Sequence, residues 1–285
     1  KEPFKGLFTQ GMVCHETYKD ADNNWISPEE IITIDGKKYL KKDKSKEIIP
    51  GASESMSKSK KNTIDPGKII ENFGADSVRL FIMSDSPPEK DVQWSDEGIE
   101  AAHKFIQKLW VLHQKICVEI NKDNLEDKDQ NLEKFTNKFI KNITHNLNNF
   151  NYNIVIANLH EVHTFLSREI KKSYKKKTLL NNYRKILICI TPIIPHLSNE
   201  ALEDIDSSQN IIWPTYDDLL LAEEKISYVI QINGKKRGLI KTARDINEEN
   251  LMKLIFKDEN LKKYLDNKEF KRKIFVPGRL INIIL

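Results

Sequence analysis

A lysine flanked by two serines stands in segment 55–62, which reads SMSKSKKN. Ser57 and Ser59 lie on either side of Lys58, and no acidic residue occurs between Ser55 and Asp65. Ammonium and hydroxyl groups donate hydrogen bonds that phosphate oxygens accept, so this composition is typical of a loop that binds phosphate. The same residues also fit a flexible surface linker rich in serine and lysine, and the segment alone leaves both interpretations open.

One reaction that such a loop could serve is adenylation. A carboxylate attacks the α-phosphorus of ATP, pyrophosphate leaves, and negative charge grows on the leaving group. A lysine that meets the β- and γ-phosphates in the transition state lowers that barrier. We therefore predict Lys58 as a catalytic residue and Met56, Ser57, Lys58 and Ser59 as the ATP-phosphate-binding segment, with Met56 anchoring the loop on apolar surface.

A second group of candidate residues is a basic run between two predicted helices. Only Glu169 offsets it locally. Its members are Arg168, Lys171, Lys172, Lys175, Lys176 and Lys177. Lysines at a helix end are often simply solvated and complement the helix dipole. The alternative is contact with nucleic-acid phosphates.

A third candidate surface surrounds the Asn233-Gly234 turn, where Lys235, Lys236 and Arg237 follow. A charged hairpin edge also discourages aggregation, so a purely structural interpretation stays open. The histidines and cysteines predict no metal site. His160 and His163 share one helical face without an evident third ligand, and Cys14, Cys117 and Cys189 lie far apart. A disulfide framework is not predicted either, which fits a reducing cytoplasm.

The elements that must position these residues are mainly helical. Of the 285 residues, 39% are hydrophobic and 31% charged, so the chain can bury a core, and a net charge of +4 points to no partner by itself. No apolar run approaches the ~18 residues of a membrane helix. Apolar residues recur at steps of three and four in stripes that begin at Ala102, Leu132 and Val155, and Pro192 and Pro195 should end a fourth helix.

Turn signals delimit the rest of the chain. Asp35-Gly36 predicts a hairpin within 32–40, and 41–46 is expected to be a charged, solvated connector. Asp65-Pro66 predicts a helix start, and Gly74 a break between two helices. After Trp213, two predicted hairpins around Asn233-Gly234 and Pro277-Gly278 enclose a helix capped by Asn247, which predicts a small α+β domain.

The whole chain resembles leucyl-tRNA synthetases of the bacterial or organellar type. The resemblance rests on SMSKSKKNTIDP, which is one residue short of the KMSKS signature of class I synthetases, and on GADSVRL, ICITPIIPHLSNEAL, QINGKKRG and VPGRLINI. By this match, Lys58 corresponds to the second lysine of the signature, which contacts ATP phosphates. Ser55 stands where the family has the first lysine and cannot supply its charge. Lys61 stands where glycine is common.

The resemblance implies a fold in three parts: the end of a Rossmann-like catalytic domain (1–65), an antiparallel helical bundle of the anticodon-binding type (66–222) and a C-terminal α+β domain (223–285). It implies contact of the basic run and of Asn233, Lys235 and Arg237 with tRNA(Leu). The implied activity is that of a class I leucine–tRNA ligase, with ATP, Mg²⁺ and leucine, in a cytoplasmic enzyme that is monomeric at full length.

The N-terminal sequence KEPFKGLFTQGMV has no initiator methionine and is expected to lie within a domain, so we interpret the chain as a C-terminal fragment that is inactive alone. Two alternatives stay open on the sequence. One is a fragment of a valyl- or isoleucyl-type synthetase, which shares GADSVRL. The other is a non-catalytic, stand-alone tRNA-binding protein.

Overall fold

The computed structural model describes residues 3–122, 130–205, 211–221, 226–243, 246–265 and 270–285, except for the side chain of Leu219. The strands are β1 (Val13–Tyr18), β2 (Ile31–Ile34), β3 (Lys37–Leu40), β4 (Asp43–Ile48), β5 (Pro50–Ser55), β6 (Val92–Gln93), β7 (Ile226–Ile232), β8 (Lys235–Thr242), β9 (Arg272–Val276) and β10 (Leu280–Ile284). The helices are α1 (Pro66–Phe73), α2 (Ala75–Ser84), α3 (Asp96–Ile120), α4 (Asn131–Asn148), α5 (Tyr152–Glu169), α6 (Lys176–Ile190), α7 (Pro195–Ile205), α8 (Asp218–Leu221), α9 (Glu248–Lys257) and α10 (Glu259–Lys262).

The chain forms two compact units, Lys1–Tyr216 and Asp217–Leu285. The first holds two small sheets and the helices α1 to α7, and the second holds one sheet with α9 and α10. The division into three parts that the sequence suggests stays a prediction.

Two three-stranded sheets precede the helices. In one, β1 lies between β5, which is antiparallel to it, and β6, which is parallel to it. In the other, β2, β3 and β4 form an antiparallel meander. The predicted hairpin is confirmed, because Asp35 and Gly36 both have positive φ, as a tight two-residue turn requires.

The predicted connector at 41–46 is wrong from Asp43 onward. Residues 43–48 form β4, which pairs with β3 through its backbone while Lys44, Ser45, Lys46 and Glu47 stay exposed. An edge strand needs only its backbone to pair, so charged side chains do not exclude it, and lysines are common at such edges.

The helical part of the first unit begins as predicted. Asp65 caps α1 by accepting a hydrogen bond from the N–H of Gly67 at 3.0 Å, and Pro66 occupies the first turn. Gly74, at φ +81°, separates α1 from α2. The predicted stripes lie on α3, α4 and α5, and one apolar core contains buried residues from α2 through α7.

Two charged side chains of α2 fix the turn between α6 and α7. The buried carboxylate of Asp76, on α2, accepts hydrogen bonds from the backbone N–H groups of His196 at 3.3 Å and Leu197 at 2.8 Å. It also contacts Nδ1 of His196 at 2.9 Å. Arg79, one turn further on, donates to the carbonyl oxygens of Ile193 and Pro192 at 3.0 and 2.6 Å. Asp76 thus caps α7, and the sequence motifs GADSVRL and PIIPH contact each other.

The second unit is a four-stranded sheet of order β8-β7-β10-β9 with α9 and α10 packed on it. The buried residues alternate along β7 and β10, and both predicted hairpins are confirmed. Asn247 caps α9 as predicted, accepting from the N–H of Asn250 at 2.8 Å. The parallel pairing of β7 with β10 joins the two hairpins into one sheet, which local sequence signals do not indicate.

Candidate functional site

The segment SMSKSKKN forms a loop between β5 and α1. Ser55 is the last residue of β5 and pairs with Cys14 of β1. The N–H of Met56 donates to the carbonyl oxygen of Val13 at 3.1 Å, which keeps the entry of the loop on the sheet. Met56 and Ser57 are half-buried, while Lys58 and Ser59 are exposed at the turn.

Asn62 holds this loop in place and was not singled out from the sequence. Its side chain is fully buried, its Oδ1 accepts from the N–H of Ser57 at 2.9 Å, and its Nδ2 lies 3.2 Å from the carbonyl oxygen of His15 and 3.1 Å from that of Glu54. One amide therefore joins the loop to both β1 and β5. The available signal was the residue type, because asparagine readily bonds nearby backbone groups in turns.

The three lysines of the loop differ in their contacts and backbone conformation. Lys60 forms an ion pair with Glu54 of β5. Lys61 adopts φ +54°, a left-handed conformation that glycine takes more easily. Lys58 has no acidic partner among the residues that the structure describes, and it is exposed.

The donors around Lys58 form a set suited to phosphate. The hydroxyls of Ser57 and Ser59 lie 3.2 Å apart, and the N–H of Lys60 points to the hydroxyl of Ser57 at 3.4 Å. Ser55 projects from an exposed strand end just before them. An ammonium and two hydroxyls can neutralise and orient a polyphosphate chain, and the carboxylate of Glu54 on the neighbouring strand is already paired with Lys60.

The basic run does not form one uniform surface. Glu169 is 2% exposed, and its carboxylate binds both the ammonium of Lys172, at 2.7 Å, and the hydroxyl of Tyr174. This buried carboxylate fixes the connection between α5 and α6, so Lys172 has a structural contact. The exposed members of the run are Arg168, Lys171, Lys175, Lys176 and Lys177.

The hairpin residues are all exposed but differ in their contacts. Asn233 accepts a hydrogen bond from the N–H of Leu285 through its side chain at 2.9 Å, and its φ of +49° is that of a tight hairpin turn. The guanidinium of Arg237 lies over the ring of Tyr264 at 4.7 Å from its centre. Lys235 and Lys236 are exposed. Asn233 thus shapes the turn that presents the cations.

The histidines are placed by packing. His160 stacks on Phe105 at 3.8 Å between ring centres, and His163 meets the same ring edge-on. His113, which the sequence did not single out, is buried and contacts Tyr183 at 3.1 Å and Asp204 at 3.0 Å. Within the described ranges, no three His, Cys, Asp or Glu side chains gather closely enough to hold a metal ion.

Two protein-family models match the chain. The model for tRNA synthetases class I (I, L, M and V) matches residues 48–95, which include the loop and α1, and the model for the anticodon-binding domain of tRNA ligase matches residues 129–252. The leucine–tRNA ligase of Zymomonas mobilis is 36% identical over 287 aligned residues, and that of Bartonella tribocorum is 38% identical over 301. Both alignments cover the whole of this chain. Over its full length, this chain is homologous to leucine–tRNA ligases.

The chain spans about a third of the length of these relatives, 33% and 34%. A solved structure with the same fold is the LeuRS of Agrobacterium radiobacter K84, determined as a ternary complex with tRNA and LeuAMS. It superposes with a TM-score of 0.67 at 24% identity and covers 81% of this chain and 30% of its own. The class I synthetase-like fold with an anticodon-binding domain, which the sequence predicts, is confirmed. The similarity to leucine–tRNA ligases favours neither a valyl- or isoleucyl-type fragment nor a stand-alone tRNA-binding protein.

Among the described helices, none is both long enough and apolar enough to cross a membrane.

Proposed function

We propose that this chain is part of a leucine–tRNA ligase and supplies its pyrophosphate-facing loop together with surfaces that contact tRNA(Leu). The observation that carries the proposal is the loop at 55–62, where Asn62 holds the backbone on two strands and Lys58 projects without an acidic partner in the described part of the chain. The loop lies inside the class I synthetase match. The catalytic domain that the loop belongs to, with its Rossmann-like core, is part of the proposal.

The reaction assigned to the full enzyme has two steps. The carboxylate of leucine attacks the α-phosphorus of ATP, the bond from that phosphorus to the bridging oxygen breaks, and pyrophosphate leaves with the electron pair. The leucyl group then passes from the adenylate to a hydroxyl of the terminal adenosine of tRNA(Leu), and AMP leaves.

The residues of this chain act in the first step. The ammonium of Lys58 meets the β- and γ-phosphates as charge develops on pyrophosphate, and Ser57 and Ser59 donate hydrogen bonds to the phosphate oxygens. Because Asn62 holds the backbone before ATP arrives, little ordering remains to be done in the transition state. Mg²⁺ enters with ATP as part of the substrate, and the donors of the loop suit phosphate oxygens, so we assign no metal ligand here.

In this proposal the C-terminal surfaces bind tRNA. The exposed cations of the basic run, Arg168, Lys171, Lys175 and Lys176, contact RNA phosphates, and Lys235 and Arg237 do so on the hairpin that Asn233 shapes. Lys172 assists indirectly, because its ion pair with Glu169 fixes the connection that carries its neighbours.

The test of the catalytic assignment uses the full-length enzyme that contains this chain and measures leucine-dependent exchange between ATP and pyrophosphate. Lys58→Ala should lower kcat by about 10²–10³-fold, the range for loss of one group that stabilises transition-state charge. The matched control is Lys44→Ala, an exposed lysine of β4 that should leave the rate unchanged. An equal rate for Lys58→Ala and wild type would contradict the role of the loop.

Two further measurements bound the proposal. The isolated 285-residue chain should show no exchange activity. Robust exchange by it would contradict the proposal that this chain supplies only part of the catalytic machinery. The full-length enzyme should charge tRNA with leucine in preference to valine or isoleucine, and a preference for either of those would replace the leucine assignment.

A further inference from the structure

A groove between α3 and α5 gathers lysines that the linear sequence keeps apart. Its volume is about 760 Å³, and its rim carries Lys104, Lys108 and Lys115 from α3 and Lys171, which lies two residues beyond the end of α5. All four are exposed. The floor is apolar and includes Leu112 and Ile170. We call this feature the lysine groove.

The lysines of α3 form one row. Residues 104, 108 and 115 are separated by four and seven positions, which places them on one side of a helix of 3.6 residues per turn. At about 1.5 Å per residue, the row is about 16 Å long. Lys171 faces it from the other wall of the groove. A row of this length suits a ligand that repeats its negative charge better than a single phosphate.

The positive charge of the groove is only partly compensated. Lys104 pairs with Glu100 at 3.3 Å, and Glu119, the one acidic residue on the rim, pairs with Lys122 at 2.6 Å. Lys108, Lys115 and Lys171 have no ion pair among the residues that the structure describes. Three ammonium groups that form no ion pair with a described residue thus line the same groove, and the carboxylate of Glu119 beside them is already paired with Lys122.

The pKa of His163, on the wall of the groove, responds to this positive charge. Burial, Lys108, neighbouring His160 and Lys115 all lower the pKa of His163, in that order of effect. Burial and Lys108 lower the pKa of His160 in the same way. A second cation is therefore unfavourable here, and an anion is favourable.

We propose that the lysine groove binds the phosphate backbone of an RNA strand, with Lys108, Lys115 and Lys171 contacting successive phosphates. The proposal rests on the proposed function, which provides RNA as the polyanionic partner. It differs from the basic run in location, since two of the three lysines lie on α3, outside that run. Charge complementarity and the apolar floor, on which a ribose or base can lie, both favour an RNA strand over a compact anion.

The experiment uses the 285-residue chain and a fluorescently labelled tRNA(Leu) transcript, with binding followed by anisotropy between about 50 and 200 mM KCl. The triple variant Lys108→Ala, Lys115→Ala, Lys171→Ala should reduce the slope of log K against log salt by about three. Affinity near 0.1 M salt should fall by about five- to tenfold for each lysine.

The matched control removes the same total charge elsewhere. Lys42, Lys44 and Lys134 are exposed and outside the groove, so their triple alanine variant should bind RNA with nearly the slope of wild type. Thermal unfolding of both variants shows whether either has lost its fold. Equal losses of RNA affinity in the two triple variants would contradict the RNA-binding role of the groove and leave only a general effect of net charge.

A second measurement does not depend on affinity. The His163 ring, followed by NMR, should titrate at higher pH in the groove variant than in wild type, because two neighbouring cations are gone. Bound RNA should raise the His163 pKa in wild type and leave it nearly unchanged in the groove variant. A His163 titration unaffected by RNA would overturn the proposal, as would binding to anionic vesicles without binding to RNA.

These outcomes are separable from those of the catalytic proposal. If the groove variant binds RNA like the control while leucine-dependent exchange requires Lys58, the RNA-binding role of the groove is wrong and the proposed function stands. If exchange fails but RNA binding requires the groove, the groove stands and the catalytic assignment falls.

Discussion

At the scale of single residues, the amide of Asn62 satisfies backbone groups of three segments. It binds the loop at Ser57, β1 at His15 and β5 at Glu54, from a position with no exposed surface. A buried donor or acceptor that loses its partner costs about 1–3 kcal/mol. The position of Lys58 therefore depends on a buried neighbour four residues further along the chain.

We expect Asn62→Ala to loosen the loop, and Asn62→Asp to do so more strongly, since a carboxylate would face two carbonyl oxygens. Limited trypsin digestion with mass spectrometry should show faster cleavage after Lys58, Lys60 and Lys61 in both variants. Thr63→Ala, a change at the exposed neighbouring residue, is the control and should leave cleavage unchanged. Equal cleavage rates for Asn62→Ala and wild type would show that the loop is held in another way.

Position 55 holds a serine where the KMSKS signature has its first lysine, and the structure leaves room for a lysine there. Ser55 lies at an exposed strand end, so a longer side chain has room there. We expect Ser55→Lys in the full-length enzyme to leave leucine-dependent exchange unchanged or faster, because it adds a cation beside the phosphates. Ser55→Gln, which adds length without charge, separates the two effects. A large loss of rate in Ser55→Lys would mean that the loop is oriented differently.

At the scale of elements, α7 depends on a cap supplied from α2. Asp76 accepts the N–H groups of His196 and Leu197, and Arg79 binds the two carbonyl oxygens just before them. The two proline residues around this turn prevent continuous helix, so the start of α7 needs partners for its free N–H groups. The contact joins two motifs that lie far apart in the sequence.

We predict that Asp76→Ala lowers the free energy of unfolding by about 2–3 kcal/mol, through loss of the cap and of its buried hydrogen bonds. Urea unfolding followed by circular dichroism measures this change. Glu71→Ala, at an exposed position of α1, provides the control and should change stability little. A difference of less than about 0.5 kcal/mol between the two variants would contradict the capping role.

At the scale of the whole molecule, the helical core of the first unit buries groups that ionise only with difficulty. Cys189 on α6 has no exposed surface, and burial raises its pKa from 9.0 to about 12. Burial also raises the pKa of Tyr183, on the same helix. Both side chains ionise more easily in the unfolded chain than in the folded one.

This difference predicts a loss of stability in alkali. Because the folded pKa of Cys189 lies above the unfolded one, its contribution is fully present below pH 9 and is lost as the pH rises from about 9 toward 12. Over that window, wild type should lose up to about 1.4 kcal/mol more per pH unit than Cys189→Ala. Denaturant unfolding of both proteins under reducing conditions measures the two slopes. Parallel slopes would show that the thiol is not kept neutral by burial.

Much of the secondary structure follows from neighbouring residues. Apolar stripes at helical spacing predicted α3, α4 and α5, and the Asp-Gly and Asn-Gly turns predicted two hairpins, because both signals depend on local backbone geometry. Strand β4 escaped prediction, since an edge strand pairs through its backbone and its side chains carry little signal.

The sequence by itself determined the motif around Lys58, the family resemblance and the position of most helices, because each is encoded within a short stretch of residues. Only the tertiary structure decided that Asn62 anchors the loop, that Glu169 holds Lys172, and that Lys171 faces the lysines of α3. These contacts join residues whose partners depend on how buried helices and strands pack, and no local pattern specifies that packing.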